Sequence, residues 1–249
     1  MIEIEFLSWD TKTFGFKVGN LIYSEEFDVK QLQKTVLKAQ EEGYKLLYLK
    51  DQCVSDDFLS DSFLLVDKKV IYSKLICKCS LNPMVNNSGE IVSVLNQPLQ
   101  MDLLLLALQS GGFSRYYMDK RMPIHVYLSL YNAWINNSLD GSIASDVLAY
   151  QEHGKNVGLL TYKKNDSTVT IGLIAVNNNF RDKGIGSKLL NRLFSLFPEE
   201  EITIEVATQH RNYVACQFYE KNGFQMKSIQ KIYHIWVNDY CEIFKHKQK

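Results

Sequence analysis

The sequence predicts an α/β (α+β) fold, with a mixed, mostly antiparallel central sheet preceded by a smaller α/β N-terminal lobe. Three observations predict it. The second half reads as helix, helix, three strands, helix, strand, helix, strand, which mixes antiparallel hairpins with one central β-α-β crossover. That crossover turns through Arg181-Asp182-Lys183-Gly184-Ile185-Gly186-Ser187. A cluster of turn formers, Asn82-Pro83-Met84-Val85-Asn86-Asn87-Ser88-Gly89, marks a boundary near residues 82–98 and divides the chain into 1–95 and 96–249.

In the first part, Lys17 to Tyr23 has a strand pattern. Asp28 is suited to cap a helix that runs to Glu42 and stops at Gly43. Lys45 to Lys50 reads as a buried strand, and Val66 to Cys79 as a long one. In the second part, Leu99 to Ser110 and Ile124 to Asn136 are helical, separated by a loop through Gly111 and Tyr117. Strands follow at Ser145 to Glu152, Lys155 to Lys163 and Ser167 to Val176. Turns at His153-Gly154 and Lys164-Asn165-Asp166 join them as hairpins. Ser187 to Phe197 is a helix, Glu201 to Ala207 a strand, Asn212 to Asn222 a helix ended by Gly223, and Phe224 to Val237 a final strand. Lys69-Val70-Ile71-Tyr72 and Lys231-Ile232-Tyr233 echo one another, which reads either as a duplicated half-lobe or as chance.

Composition narrows the function classes. In 249 residues, 28 Lys and Arg balance 28 Asp and Glu, so no basic excess points to nucleic acid. Five scattered cysteines and no Cys-x-x-Cys argue against a disulfide framework and a zinc site, so no metal is expected. Met1 to Glu5 lacks the pattern of a signal peptide, and the longest apolar run, Leu103 to Leu108, is far too short to span a bilayer. A reducing, cytoplasmic setting is the expectation.

The glycine turn carries the chemistry. A strand that passes through two glycines into a helix presents free main-chain N–H groups at the positive end of the helix dipole, an anion site. Glycine lets that backbone approach a phosphate without a Cβ. The plainer reading is a helix entry softened by glycine. The turn lacks the Gly-Lys-Ser/Thr of a Walker loop, and position 189, where a dinucleotide fingerprint needs a third glycine, is Leu189.

One strand later comes Asn212-Tyr213-Val214-Ala215-Cys216-Gln217-Phe218-Tyr219-Glu220-Lys221-Asn222-Gly223-Phe224. Together with Arg181-x-x-Gly184-x-Gly186, this run resembles the GCN5-related N-acetyltransferase (GNAT) superfamily over about Met101 to Val237. Shorter matches look like the bacterial dTDP-4-amino-4,6-dideoxygalactose (dTDP-fucosamine) N-acetyltransferases. These are Leu7-x-Trp9-Asp10, Phe14-Gly15, Phe63-x-x-Val66-Asp67-x-Lys69-Val70 and Trp134-Ile135-x-x-Ser138. The resemblance implies a GNAT fold after an N-terminal lobe, itself a partial GNAT-like half on the duplication reading. It also implies acetyl-CoA as co-substrate and a nucleotide-linked deoxyamino sugar as acceptor, for surface polysaccharide. Another amine (a protein N-terminus, a polyamine, an antibiotic), a longer acyl donor and a non-catalytic acyl-CoA-binding module stay open, as does a homodimer.

The resemblance also implies roles. Arg181, Asp182, Lys183, Gly184, Ile185, Gly186 and Ser187 would hold the coenzyme's pyrophosphate. Ile174, Ala175 and Val176 would pair with its pantetheine arm as an added strand, and a main-chain N–H near Val176 would polarise the thioester. Tyr219 would protonate the leaving thiolate, since a phenol of ordinary pKa near ~10 keeps its proton at neutral pH. Asn212 would contact the coenzyme or serve only as a helix cap. Arg115, Tyr116 and Tyr117 would meet the acceptor. Glu205 either relays a proton through water or is an ordinary strand carboxylate.

Overall fold

The computed structural model describes residues 2–23, 29–51, 64–77, 91–198 and 201–241. Contacts sort the chain into two compact units, Met1–Lys69 with Ile229–Lys249, and Val70–Ser228. The division at 95/96 read from the sequence differs from this one: the contacts return the C-terminal segment to the first unit and give residues 70–95 to the second. Of the turn-former cluster, residues 82–90 lie outside the described ones, as do Asp28 and Phe63.

In the first unit the chain forms β1 (Ile2–Phe6), α1 (Ser8–Phe14), β2 (Lys17–Tyr23), α2 (Val29–Glu41) and β3 (Tyr44–Asp51). β1 pairs antiparallel with β2, and β2 lies parallel to β3 after the α2 crossover. The last residues of the long final strand, through Trp236, run antiparallel to β3. Leu32, Val36 and Ala39 recur at helical spacing on α2 and are fully buried with Leu21, Leu47, Leu49 and Ile235. Gly43 ends the helix region with φ +79°, a left-handed conformation that favours glycine. β1 and α1 are additional to the elements expected from the sequence, although Ile2-Glu3-Ile4-Glu5-Phe6 alternates as a half-buried strand does.

The second unit takes β4 (Leu64–Ile76) from Val70 onward, then β5 (Ile91–Ser93), α3 (Met101–Ser110), α4 (Arg115–Met118), α5 (Ile124–Leu139), β6 (Asp146–Glu152), β7 (Lys155–Asn165) and β8 (Thr168–Val176). α6 (Ile185–Ser195), β9 (Ile202–Gln209), α7 (Tyr213–Lys221) and the start of β10 (Gln225–Trp236) complete it. Its sheet runs β4-β9-β8-β7-β6-β5. β5 to β8 form an antiparallel meander, and β8 to β9 is the parallel step across α6. The mixed, mostly antiparallel sheet expected from the sequence is therefore present. Within the boundary region near 82–98 lies β5, whose Ile91 sits opposite Tyr150. The loop at 111–117 closes into the single turn α4.

Both faces of this sheet are covered. Leu148, Tyr150, Leu160 and Ile171 pack beneath α6 and α7, while Val147, Ala149, Leu159 and Leu173 pack beneath α3 and α5. Central strands buried on both sides read as continuous apolar runs, which is why β6 and β7 show little alternation. The β6–β7 turn uses His153 and Gly154, with φ of +53° and +74°, the signature of a tight two-residue hairpin.

Gly158 on β7 sets how closely α6 lies on the sheet. A Cβ there would fall 2.9 Å from Ile185 Cγ2 and 3.1 Å from Leu189 Cδ1. Gly158→Val is expected to lower stability by about 1–3 kcal/mol through overpacking. Urea denaturation followed by circular dichroism measures this, and an unchanged midpoint would contradict it.

Candidate functional site

The site grows out of an irregularity in β8. Leu160 sits opposite Ile174, but Tyr162 sits opposite Ile171, so Gly172 and Leu173 together face Thr161. The Thr161 hydroxyl accepts from the Leu173 N–H at 2.9 Å. Gly172 is needed because a Cβ would lie 2.8 Å from the same hydroxyl oxygen. A bulge of this kind bends its strand and ends pairing on one side. Accordingly β8 pairs with β9 only from Thr168↔Thr203 to Ile171↔Val206, and the strands part beyond it.

A cleft of about 530 Å³ lies where they part. Ile174, Ala175 and Val176 supply one wall. Arg181, Asp182, Gly184, Ile185, Gly186 and Ser187 supply the rim, and Asn212, Ala215, Phe218 and Tyr219 of the α7 region the other side. Gln109, Ser110 and Phe113, which the sequence did not single out, close the end nearest α3.

At the rim, the first main-chain bond of α6 runs from Lys188 N–H to Gly184 O at 3.0 Å. The N–H groups of Ile185, Gly186 and Ser187 precede it and have no intrahelical acceptor. No side chain caps this helix end. The two glycines act differently. Gly184 has φ +72° with open space around it, so its demand is conformational. At Gly186 a Cβ would lie 3.0 Å from the Phe218 ring, so its demand is close approach between two walls of the cleft. Asp182, at φ +62°, shares the left-handed conformation without being glycine.

Tyr219 is 3 % exposed. Its ring sits among Tyr72, Phe218 and Phe224, with centroids 5.3–5.7 Å away. The phenol oxygen has no hydrogen-bond partner among the described residues, and the residue reaches the cleft wall. Burial, then the neighbouring Cys216 thiol, raises its pKa well above the ordinary value. The following residue is anchored: Tyr72 Oη donates to Glu220 Oε1 at 2.8 Å, and Lys74 Nζ donates to Asn222 O at 2.7 Å. These two β4 side chains were invisible as site residues, because in sequence they are only alternate positions of a strand.

Other expected residues fall elsewhere. The Asn212 side chain accepts from Ala215 N–H at 3.2 Å, so the cap is present while the residue also lines the cleft. The Lys183 ammonium lies 3.5 Å from Glu152 and over the Phe180 ring, off the cleft lining. Glu205 Oε1 accepts from Lys227 Nζ at 2.5 Å. Arg115 stacks on Tyr116 and bonds its hydroxyl, while Tyr117 packs on Tyr127; none of the three lines the cleft. Among the described residues no cluster of side chains is arranged to hold a metal, and no helix is long and apolar enough to cross a membrane.

Gly184→Ala is expected to lower stability by roughly 1–2 kcal/mol, the left-handed penalty. Gly186→Ala leaves the backbone unstrained and instead displaces Phe218. Thermal melting tests the first and the Phe218 ring resonances the second; an unshifted Phe218 would contradict the close-approach assignment.

Residues 109–224 match the model of the Acetyltransferase (GNAT) family. The spore coat polysaccharide biosynthesis protein SpsD of Bacillus subtilis is 31 % identical over 133 residues, 53 % of this chain and 45 % of that protein. The chain thus spans less than half the length of the curated relatives it matches. A conserved protein of unknown function from Staphylococcus epidermidis superposes with a TM-score of 0.62 at 11 % identity, covering 91 % of this chain and 88 % of that one. A GCN5-related N-acetyltransferase from Sphaerobacter thermophilus superposes with a TM-score of 0.53 at 13 % identity, covering 95 % and 76 %. The fold is the GNAT fold.

Proposed function

We propose that this chain is an acyl-CoA N-acyltransferase that moves an acetyl group from acetyl-CoA to an amine. The amine we infer is that of a nucleotide-linked (dTDP-type) deoxyamino sugar, in the cytoplasmic assembly of a surface polysaccharide. One observation carries the reading: the unbonded N–H groups at the α6 mouth, the free edge of β8 and the Tyr219 phenol all border one cleft. A diphosphate, an amide arm and a thioester need those three features in that order. The GNAT match at 109–224 supports the donor, and the polysaccharide role in the name of SpsD supports a sugar acceptor.

In this reading Ile185, Gly186 and Ser187 donate main-chain N–H groups to the pyrophosphate, helped by the helix dipole and the Arg181 side chain. Ile174 offers its main-chain groups to the pantetheine amides. The Val176 N–H stabilises negative charge as it builds on the thioester oxygen. Tyr219, kept protonated by burial, gives its proton to the departing sulfur. Glu205 is held by Lys227, so the acceptor amine loses its proton to solvent.

Three outcomes follow. Acetyl-CoA incubated with dTDP-linked 4-amino and 3-amino sugars is expected to give an N-acetylated product by mass spectrometry. Acetylation only of a polyamine or a peptide N-terminus would keep the donor and remove the sugar, and no product with any amine would remove the activity. Tyr219→Phe is expected to lower kcat by about 100-fold while KM for acetyl-CoA stays within about three-fold. Because burial raises this phenol, protonation persists above its ordinary pKa of about 10, so native kcat holds as pH passes that value and falls only higher. A fall centred near the ordinary value would contradict the assignment.

A further inference from the structure

The end of β8 presents a fixed set of main-chain groups to the cleft. In an antiparallel ladder, hydrogen-bonded and non-bonded pairs alternate. Asn177 N–H donates to Val157 O at 2.8 Å, which makes Gly158/Val176 and Leu160/Ile174 the non-bonded pairs. The N–H and C=O of Ile174 and Val176 therefore turn away from β7, toward the edge that β9 leaves after Ile171. Among the described residues, three of these four groups have no partner. The fourth, the Val176 carbonyl, accepts from Gln109 Nε2 at 2.5 Å and, at the limit of contact, from Arg181 Nε at 3.5 Å. Only the NH2 group of an amide side chain can face a carbonyl in this way, which fixes the orientation of Gln109.

Gln109 is held where it can do this. It belongs to the last turn of α3, where the Tyr127 hydroxyl donates to Leu108 O. The other end of α3 is tied down as well: Asp102 accepts from Asn156 N–H at 2.8 Å, and Gln100 accepts from Asn156 Nδ2 at 2.9 Å.

We propose that Gln109 is a positioning residue that sets the register of the donor's amide arm on β8. An arm pairing with this edge has two carbonyls on which to place an N–H, Ile174 and Val176. They lie one strand repeat apart, about 6.6 Å. By occupying the Val176 carbonyl, Gln109 leaves Ile174 as the acceptor for the arm and the Val176 N–H as the donor reserved for the thioester oxygen. Without it the arm gains a second register, displaced by a whole repeat, in which the thioester passes the end of the strand. The inference rests on acetyl-CoA being the donor.

The test compares native protein with Gln109→Met, which keeps length and removes the donor, and Gln109→Leu, which removes the donor without adding a charge. Three quantities are read: the Kd for acetyl-CoA, kcat with a working acceptor, and the infrared stretch of a carbonyl-13C acetyl group in bound acetyl-CoA. In native protein the stretch is expected below its value in water-free solvent, lowered by the Val176 N–H. In both variants Kd is expected to stay within about three-fold, kcat to fall about ten-fold or more, and the stretch to broaden or split toward the unbonded value. Native kcat and a native stretch in the variants would overturn the role of Gln109. If one variant fails to fold, the other decides. No binding of acetyl-CoA to native protein would instead overturn the donor reading itself.

Discussion

A single hydrogen bond, from the Leu173 N–H to the Thr161 hydroxyl, marks the point on which the rest of this architecture depends. It closes the bulge that Gly172 makes sterically feasible, and past that bulge β8 and β9 stop pairing. A sheet continuous through this point would spend the next outward-facing main-chain groups of β8 on β9. Instead they face a cleft, and α6 begins at its rim with three N–H groups outside its own ladder. An unpaired strand edge bordering a cleft can take an extended chain as an added strand.

The two side walls of the cleft are held by polar anchors set in apolar surroundings. On one side, Asn156 is 2 % exposed and bonds both Asp102 and Gln100, which fixes the start of α3 against β7. On the other, Tyr72 and Lys74 of β4 bind Glu220 and Asn222 and hold the end of α7. Such bonds are worth more in a low-dielectric interior than on the surface, and their geometry is fixed by the packing around them. The Tyr219 ring is packed by aromatics on three sides, while the residue also lines the cleft. Its ring belongs to the core and its face to the cleft.

Local signals carried most of the fold. The hairpin turn at His153-Gly154, the apolar runs of β6 and β7 and the glycine turn before α6 each declare themselves within a few residues, because turn chemistry and periodicity are local properties. Part of the cleft was legible for the same reason: Ile174 to Val176 and Gly184 to Ser187, singled out from the strand and the glycine turn, border it. Other parts of the cleft were not: Arg115, Tyr116 and Tyr117 bond or pack against one another and α5, whereas Gln109 and Phe113 reach the cleft through the way α3 ends. The partners of Glu205 and Lys183 carry no local mark, and only tertiary contact pairs them with Lys227 and Glu152. The return of residues 229–249 to the first unit is likewise a long-range event with no local mark.

The claim at the centre is that main-chain donors opening α6 take a diphosphate while the edge of β8 takes the arm attached to it. Amide resonances of the 15N-labelled protein, titrated with acetyl-CoA, test it directly. Large shifts are expected at Ile185, Gly186, Ser187, Ile174 and Val176, with Asn177, already bonded to Val157, moving far less. Saturable binding that leaves those five amides where they were would contradict the account.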